Sequence, residues 1–160
     1  MMSEDNSEQE EIMTQITENL YLGSLAAARN LPLLLRHKIT TIVCAAAEGR
    51  PHFPQHFAYW EMTDGPLLVE HACDISDLVE ALDDVWTFCA PRLTNKMLIH
   101  CVHGRTRSAA VLAYILAKQA NTTIPQAYAL IASKRDVLVP EPWLEALQVK
   151  LSSSSSSWSG

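Results

Sequence analysis

Disulfide and metal-site spacings are both missing from this chain of 160 residues. Its four cysteines, Cys44, Cys73, Cys89 and Cys101, form no CxxC pair and fall at no metal-ligand interval. Positive charge is not in excess either. The formal net charge is −6, which excludes the strongly basic class of nucleic-acid and polyanion binders. No apolar run approaches the ~20 residues needed to span a bilayer. Residues 1–11 are acidic and polar, the reverse of a secretory leader. Together these absences point to a cytoplasmic protein with reduced thiols, with access to the nucleus left open.

What remains is the composition of one globular domain, with 48% hydrophobic and 19% charged residues. Residues 1–15 are expected to be a disordered acidic terminus, and residues 16–151 a single folded domain. Residues 152–160 open with a run of serines and are expected to be a disordered tail. A polyhistidine codon series read out of frame also encodes serine, so a cloning remnant fits too. Within the domain the patterns alternate. Leu20–Leu22, Ile39–Cys44, Phe57–Met62 and Met97–His100 read as strands. Residues 24–30 and 31–38, 74–90, 108–119, 124–134 and 142–151 read as helices, with Thr122 or Thr123 as a cap and Pro125 in a first turn. The alternation predicts an α/β fold with a central mixed, mostly parallel sheet of about five strands flanked by helices.

The chemistry concentrates in His100-Cys101-Val102-His103-Gly104-Arg105-Thr106-Arg107-Ser108. A loop between a strand end and a helix start aims successive N–H groups at one point, and the helix N-terminus adds partial positive charge there. Such a point suits a phosphate and a cysteine anion alike. Cys101 is the candidate nucleophile, its thiol acidified by the helix, the amides and Arg107. Arg107 offers a planar fork for two phosphate oxygens, which a lysine cannot match. Gly104 allows a backbone angle and a close approach that a side chain would obstruct. Ser108 is placed to stabilise the sulfur as a leaving thiolate. Val102, His103, Gly104, Arg105, Thr106 and Arg107 form the expected phosphate cradle. For the His103 and Arg105 side chains, substrate contact and plain solvent exposure stand about even.

These residues resemble the HCxxGxxRS signature of cysteine-dependent protein tyrosine phosphatases, most closely the small, atypical dual-specificity branch. Ile16–Ser24 is similar to the opening of those domains, and Ser108–Tyr114 continues the signature helix. The later Arg-Pro…Pro-Asn…Gly-Phe element is only partly present, as Arg135-Asp136-Val137-Leu138-Val139-Pro140-Glu141-Pro142-Trp143. The resemblance implies a pocket shallow enough for phosphoserine and phosphothreonine as well as phosphotyrosine, on phosphorylated protein substrates. It implies a cysteinyl-phosphate intermediate, with no cofactor and no metal. It also implies a general acid upstream of the cysteine. Asp64, in Thr63-Asp64-Gly65-Pro66, fits that place, with Asp74 and Asp77 as competitors. His100 would orient the loop, and Cys44 lies where some relatives carry a resolving cysteine. Two other activities stay open at this point: hydrolysis of phosphoinositides, given Arg105 and His103, and a pseudophosphatase that binds phosphorylated partners without turnover.

Overall fold

The computed structural model describes residues 12–45, 51–62 and 75–156. In chain order these form β1 (Met13–Gln15), β2 (Leu20–Gly23), α1 (Leu25–Ala28), α2 (Leu31–Arg36), β3 (Ile39–Cys44) and β4 (Ala58–Glu61). There follow α3 (Ile75–Cys89), a 3-10 turn at Ala90–Arg92, β5 (Lys96–His100), α4 (Arg107–Ala120), α5 (Ile124–Lys134) and α6 (Glu141–Ser156). The five strands lie in the order β1-β2-β5-β3-β4. β1 is antiparallel to β2, and the other three pairings are parallel. The mixed, mostly parallel sheet matches the sequence expectation.

The period-two pleat sorts the strands' apolar residues onto two faces. Leu20, Leu22, Val43, Met97 and Ile99 join one core with α3, α4, α5 and α6. Tyr21, Ile39, Ile42 and Leu98 join the other, with Met13, Leu33, Leu34 and Phe57. Both faces are covered, so the strands read as continuous apolar runs rather than alternating ones. α4 is buried along Arg107–Ala117 and is flanked by α3, α5, α6 and the sheet. Its near-total burial explains a sequence apolar on all sides. Thr123 caps α5 by accepting from the Gln126 amide at 3.3 Å, with Pro125 in the first turn.

Two boundary expectations require correction. The stretch 1–15, expected to be disordered, carries β1 at Met13–Gln15, with Met13 buried. Three residues with one apolar side chain give no strand signal; the segment is held by ladder pairing to Tyr21–Gly23 and by Met13 under the second core. The tail 152–160, expected to be unstructured, continues α6 as far as Ser156. Leu147 and Leu151 are buried and fix the helix, and extending a formed helix by serine costs only about 0.5 kcal/mol per residue relative to alanine. The Gln148 side-chain amide donates to Ser152 Oγ at 3.1 Å, and Ser153 Oγ donates to the Lys150 carbonyl at 3.1 Å.

The two faces of a residue's environment set its cost of substitution. Ile99→Ala, fully buried at the centre of β5, is expected to lose about 2–5 kcal/mol in urea unfolding. Leu35→Ser, on the exposed side of α2, is expected to stay within about 0.5 kcal/mol. Comparable losses at the two positions would contradict this placement of the core.

Candidate active site

β3, β4 and β5 run parallel and end together, with Cys44 in register with His100 on one side and Glu61 on the other. The chain leaves β5 at Cys101 and enters α4 at Arg107, so the nonapeptide wraps the C-terminal edge of the sheet. Ligand sites of open parallel sheets form at this edge.

The loop is shaped by what holds its carbonyls. The Leu25 amide donates to the Val102 carbonyl at 2.9 Å. Arg135 donates through Nη2 to the His103 carbonyl at 3.1 Å and through Nε to the Gly104 carbonyl at 2.8 Å. The Leu138 amide donates to the Arg105 carbonyl at 2.9 Å. Residues 102 to 105 thus present four consecutive carbonyls to partners outside the loop. In a trans peptide the next residue's N–H points opposite to the carbonyl. The amides of His103, Gly104, Arg105 and Thr106 are thereby turned toward the loop's centre, the concave amide nest that binds anions. Arg135 is itself anchored, donating through Nη1 to Thr14 Oγ1 of β1 at 2.9 Å. The N-cap of α4, Thr106, donates its hydroxyl to the Leu138 carbonyl at 2.8 Å and accepts from none of the helix's own amides. Those N-terminal amides remain available to an anion.

Gly104 is required twice. Its φ is +69°, and a Cβ there would stand 2.5 Å from the Gly23 carbonyl oxygen. Gly23 has its own constraint, since a Cβ there would stand 2.7 Å from the Ile12 carbonyl oxygen. Two glycines therefore let the β2–α1 turn and the loop close on each other.

Cys101, only 3% exposed, sits at the centre. Burial alone raises a thiol's pKa, yet the net shift of Cys101 is downward. The Ser108 hydroxyl, the Ser108 and Gly104 amides and the Arg107 charge together outweigh desolvation. Ser108 Oγ lies 3.0 Å from the sulfur. Cys89 supplies the contrast: buried in α3 without such donors, its thiol is pushed up to about 12. Arg107 is 4% exposed, and a buried guanidinium favours a buried anion beside it. His100, also buried, is pushed down to about 4 by desolvation, against its bond with the Cys101 carbonyl. Its Nδ1 lies 3.4 Å from that carbonyl oxygen. At neutral pH it is an uncharged residue that braces the loop.

The remaining sequence candidates divide. Val102 and Thr106 are half-buried in the loop, and His103 and Arg105 are exposed at its rim. Arg105 Nη2 pairs with Asp136 Oδ2 at 3.4 Å. Cys44 is a buried thiol at the same sheet edge and in the same core as Cys101. Asp64, Asp74 and Cys73 lie outside the described residues, and Asp77 sits in the first turn of α3. In the sequence Arg135 stands out only as part of a C-terminal motif. Its contacts with the loop cross 31 residues of sequence, a distance no local pattern reveals.

His100 couples this site to stability. Between pH 6.5 and 4 the unfolded chain binds a proton at His100 that the folded chain refuses. Stability is therefore expected to fall as pH drops through that window, by about 3 kcal/mol in all. Urea unfolding at several pH values checks this. His100→Asn should lose that part of the slope; an unchanged slope would contradict the buried neutral imidazole.

Residues 20–150 match the family model for the dual specificity phosphatase catalytic domain. A MAP kinase phosphatase with leucine-rich repeats from Dictyostelium discoideum is 32% identical over 134 residues, covering 82% of this chain and 15% of that protein. Dual specificity protein phosphatase 1 of Arabidopsis thaliana is 33% identical over 129 residues, covering 78% of this chain and 61% of that protein. The chain thus spans less than two thirds of either relative. Among solved structures, human DUSP28 superposes with a TM-score of 0.71 at 26% identity, covering 89% of this chain and 95% of that one. The human tyrosine phosphatase-like serine/threonine/tyrosine-interacting protein reaches a TM-score of 0.75 at 24% identity, covering 91% and 99%, and shares the fold. With the clamped loop and its acidified cysteine between β5 and α4, the chain belongs to the dual specificity phosphatase catalytic-domain family.

Proposed function

We propose that the protein is a metal-independent phosphatase that hydrolyses phosphotyrosine and phosphoserine or phosphothreonine in proteins through a cysteinyl-phosphate. The observation that carries this reading is a buried thiol whose pKa is lowered inside a loop of inward amides, beside a buried arginine. In the first step the Cys101 thiolate attacks phosphorus in line while Asp64 protonates the leaving oxygen. Arg107 and the loop amides hold the equatorial oxygens, whose charge must be stabilised in the transition state. In the second step Asp64 takes a proton from water, the water oxygen bonds phosphorus, and the sulfur leaves as a thiolate bonded by the Ser108 hydroxyl. Family membership and the spacing of Asp64 ahead of Cys101 support this assignment of roles.

The rim favours protein monoesters over polyanionic lipid headgroups. Arg105, the one rim cation of the signature loop, faces the Asp136 carboxylate at 3.4 Å, which offsets part of its charge. The acidic balance of the chain adds no electrostatic pull toward an anionic membrane surface.

Turnover of an aryl phosphate, inhibited by vanadate, is the direct assay. Cys101→Ser should abolish it. Asp64→Ala should lower kcat by roughly 10²-fold with little change in phosphate binding. Ser108→Ala should slow the second step and let phosphoenzyme accumulate in a rapid-quench experiment. Full activity in Cys101→Ser would overturn the nucleophile, and a larger loss in Asp77→Ala than in Asp64→Ala would overturn the acid.

A further inference from the structure

An open groove of about 830 Å³ lies against α5 and α6. Its floor and walls include Pro125, Tyr128, Leu144 and Val149, and its rim carries Glu141 and Glu145. Val149 is 69% exposed and separates this groove from a second of about 540 Å³, lined by Ile75, Val79, Ala146 and Glu80. The two form one apolar surface across α5, α6 and α3, which solvent exposure makes unfavourable.

Charge decides what fits it. Glu141, Glu145 and Glu80 bring negative charge to the grooves. Among the described residues the first groove is lined by no cation, and Lys150, which lines the second, is bound to Asp83 at 2.8 Å. Among the described residues the surface is therefore apolar with an acidic rim that no cation answers. A second copy of this chain, with its net charge of −6, is repelled by such a rim. So is the chain's own N-terminal segment, which carries Glu4, Asp5, Glu8, Glu10 and Glu11. A basic segment bearing aliphatic side chains is complementary on both counts.

The groove is joined to the phosphate loop. Tyr128, in its wall, accepts from the Val139 amide at 3.2 Å and donates to the Val137 carbonyl at 3.5 Å. Leu138, between those two residues, is bonded to Arg105 and Thr106 of the loop. A chain seated in the groove would lie against the segment that forms one side of the active-site rim.

We propose that the α5–α6 groove is a docking site for a basic, aliphatic-bearing segment of a protein partner. The proposal stands apart from the catalytic reading, since docking is measured without turnover. The probe is a short fluorescein-labelled peptide of interleaved arginine, leucine and isoleucine, titrated with the full chain and followed by fluorescence anisotropy. Its control has glutamate in place of every arginine. The basic peptide should bind and the acidic control should not. Glu141→Lys with Glu145→Lys should weaken binding by roughly tenfold, with the loss shrinking at high salt. Val149→Ser, at an exposed position, should weaken it by about fivefold. Aryl phosphate turnover on the same samples reports independently on the catalytic site. Absence of binding, or binding that ignores all three substitutions, would overturn the proposal. So would a dimer in sedimentation velocity that Val149→Ser dissociates, which would make a second copy the occupant. Tighter peptide binding after Trp158→Ser would assign the groove to the chain's own tail and would equally overturn it.

Discussion

Four backbone carbonyls, those of residues 102 to 105, must point away from the centre of the loop for this site to exist. Nothing inside the loop compels that. The Leu25 amide, the Arg135 guanidinium and the Leu138 amide do it from three directions. Peptide planarity turns the same constraint into inward amides, so an anion site is made without a metal ligand or a cluster of lysines. Around this constraint other features become necessary. β1 is required because its Thr14 anchors Arg135, and Gly23 because its backbone meets Gly104. The segment 136–139 is required because it supplies the outer partner of Arg105 and Thr106.

The electrostatics follow from the same geometry. Burial opposes every charge at the site, as Cys89 shows where no donors answer it. At Cys101 the donors win, and at His100 desolvation wins. One sheet edge thus holds an acidified thiol and an uncharged imidazole a residue apart. The difference lies in how much answers the charge: the Ser108 hydroxyl, two amides and Arg107 at Cys101, a single carbonyl at His100.

Much of this was legible in the sequence. Apolar, β-branched runs gave β3 and β5 because parallel strands buried on both faces need no alternation. The nonapeptide carried its own chemistry, since thiol, glycine, arginine and serine stand at fixed local offsets. What failed to show was non-local or marginal. β1 has a single apolar side chain under the core and depends on its partner strand. Ser152–Ser156 are helical because the turns before them are already packed. Arg135 reaches its carbonyls only after α5 has folded the chain back. Gly23, in an ordinary strand-turn signal, gave no hint that a second glycine would rest against it.

The central claim is that outward clamping of the carbonyls turns the loop amides inward, so that the Gly104 amide joins Ser108 and Arg107 in acidifying Cys101. The rate of Cys101 alkylation by iodoacetamide as a function of pH, compared between the native chain and Arg135→Met, tests it most directly. With the His103 and Gly104 carbonyls released, the Cys101 midpoint should move up toward that of an ordinary thiol while the folded core persists by circular dichroism. An unchanged midpoint in a folded Arg135→Met protein would contradict the account.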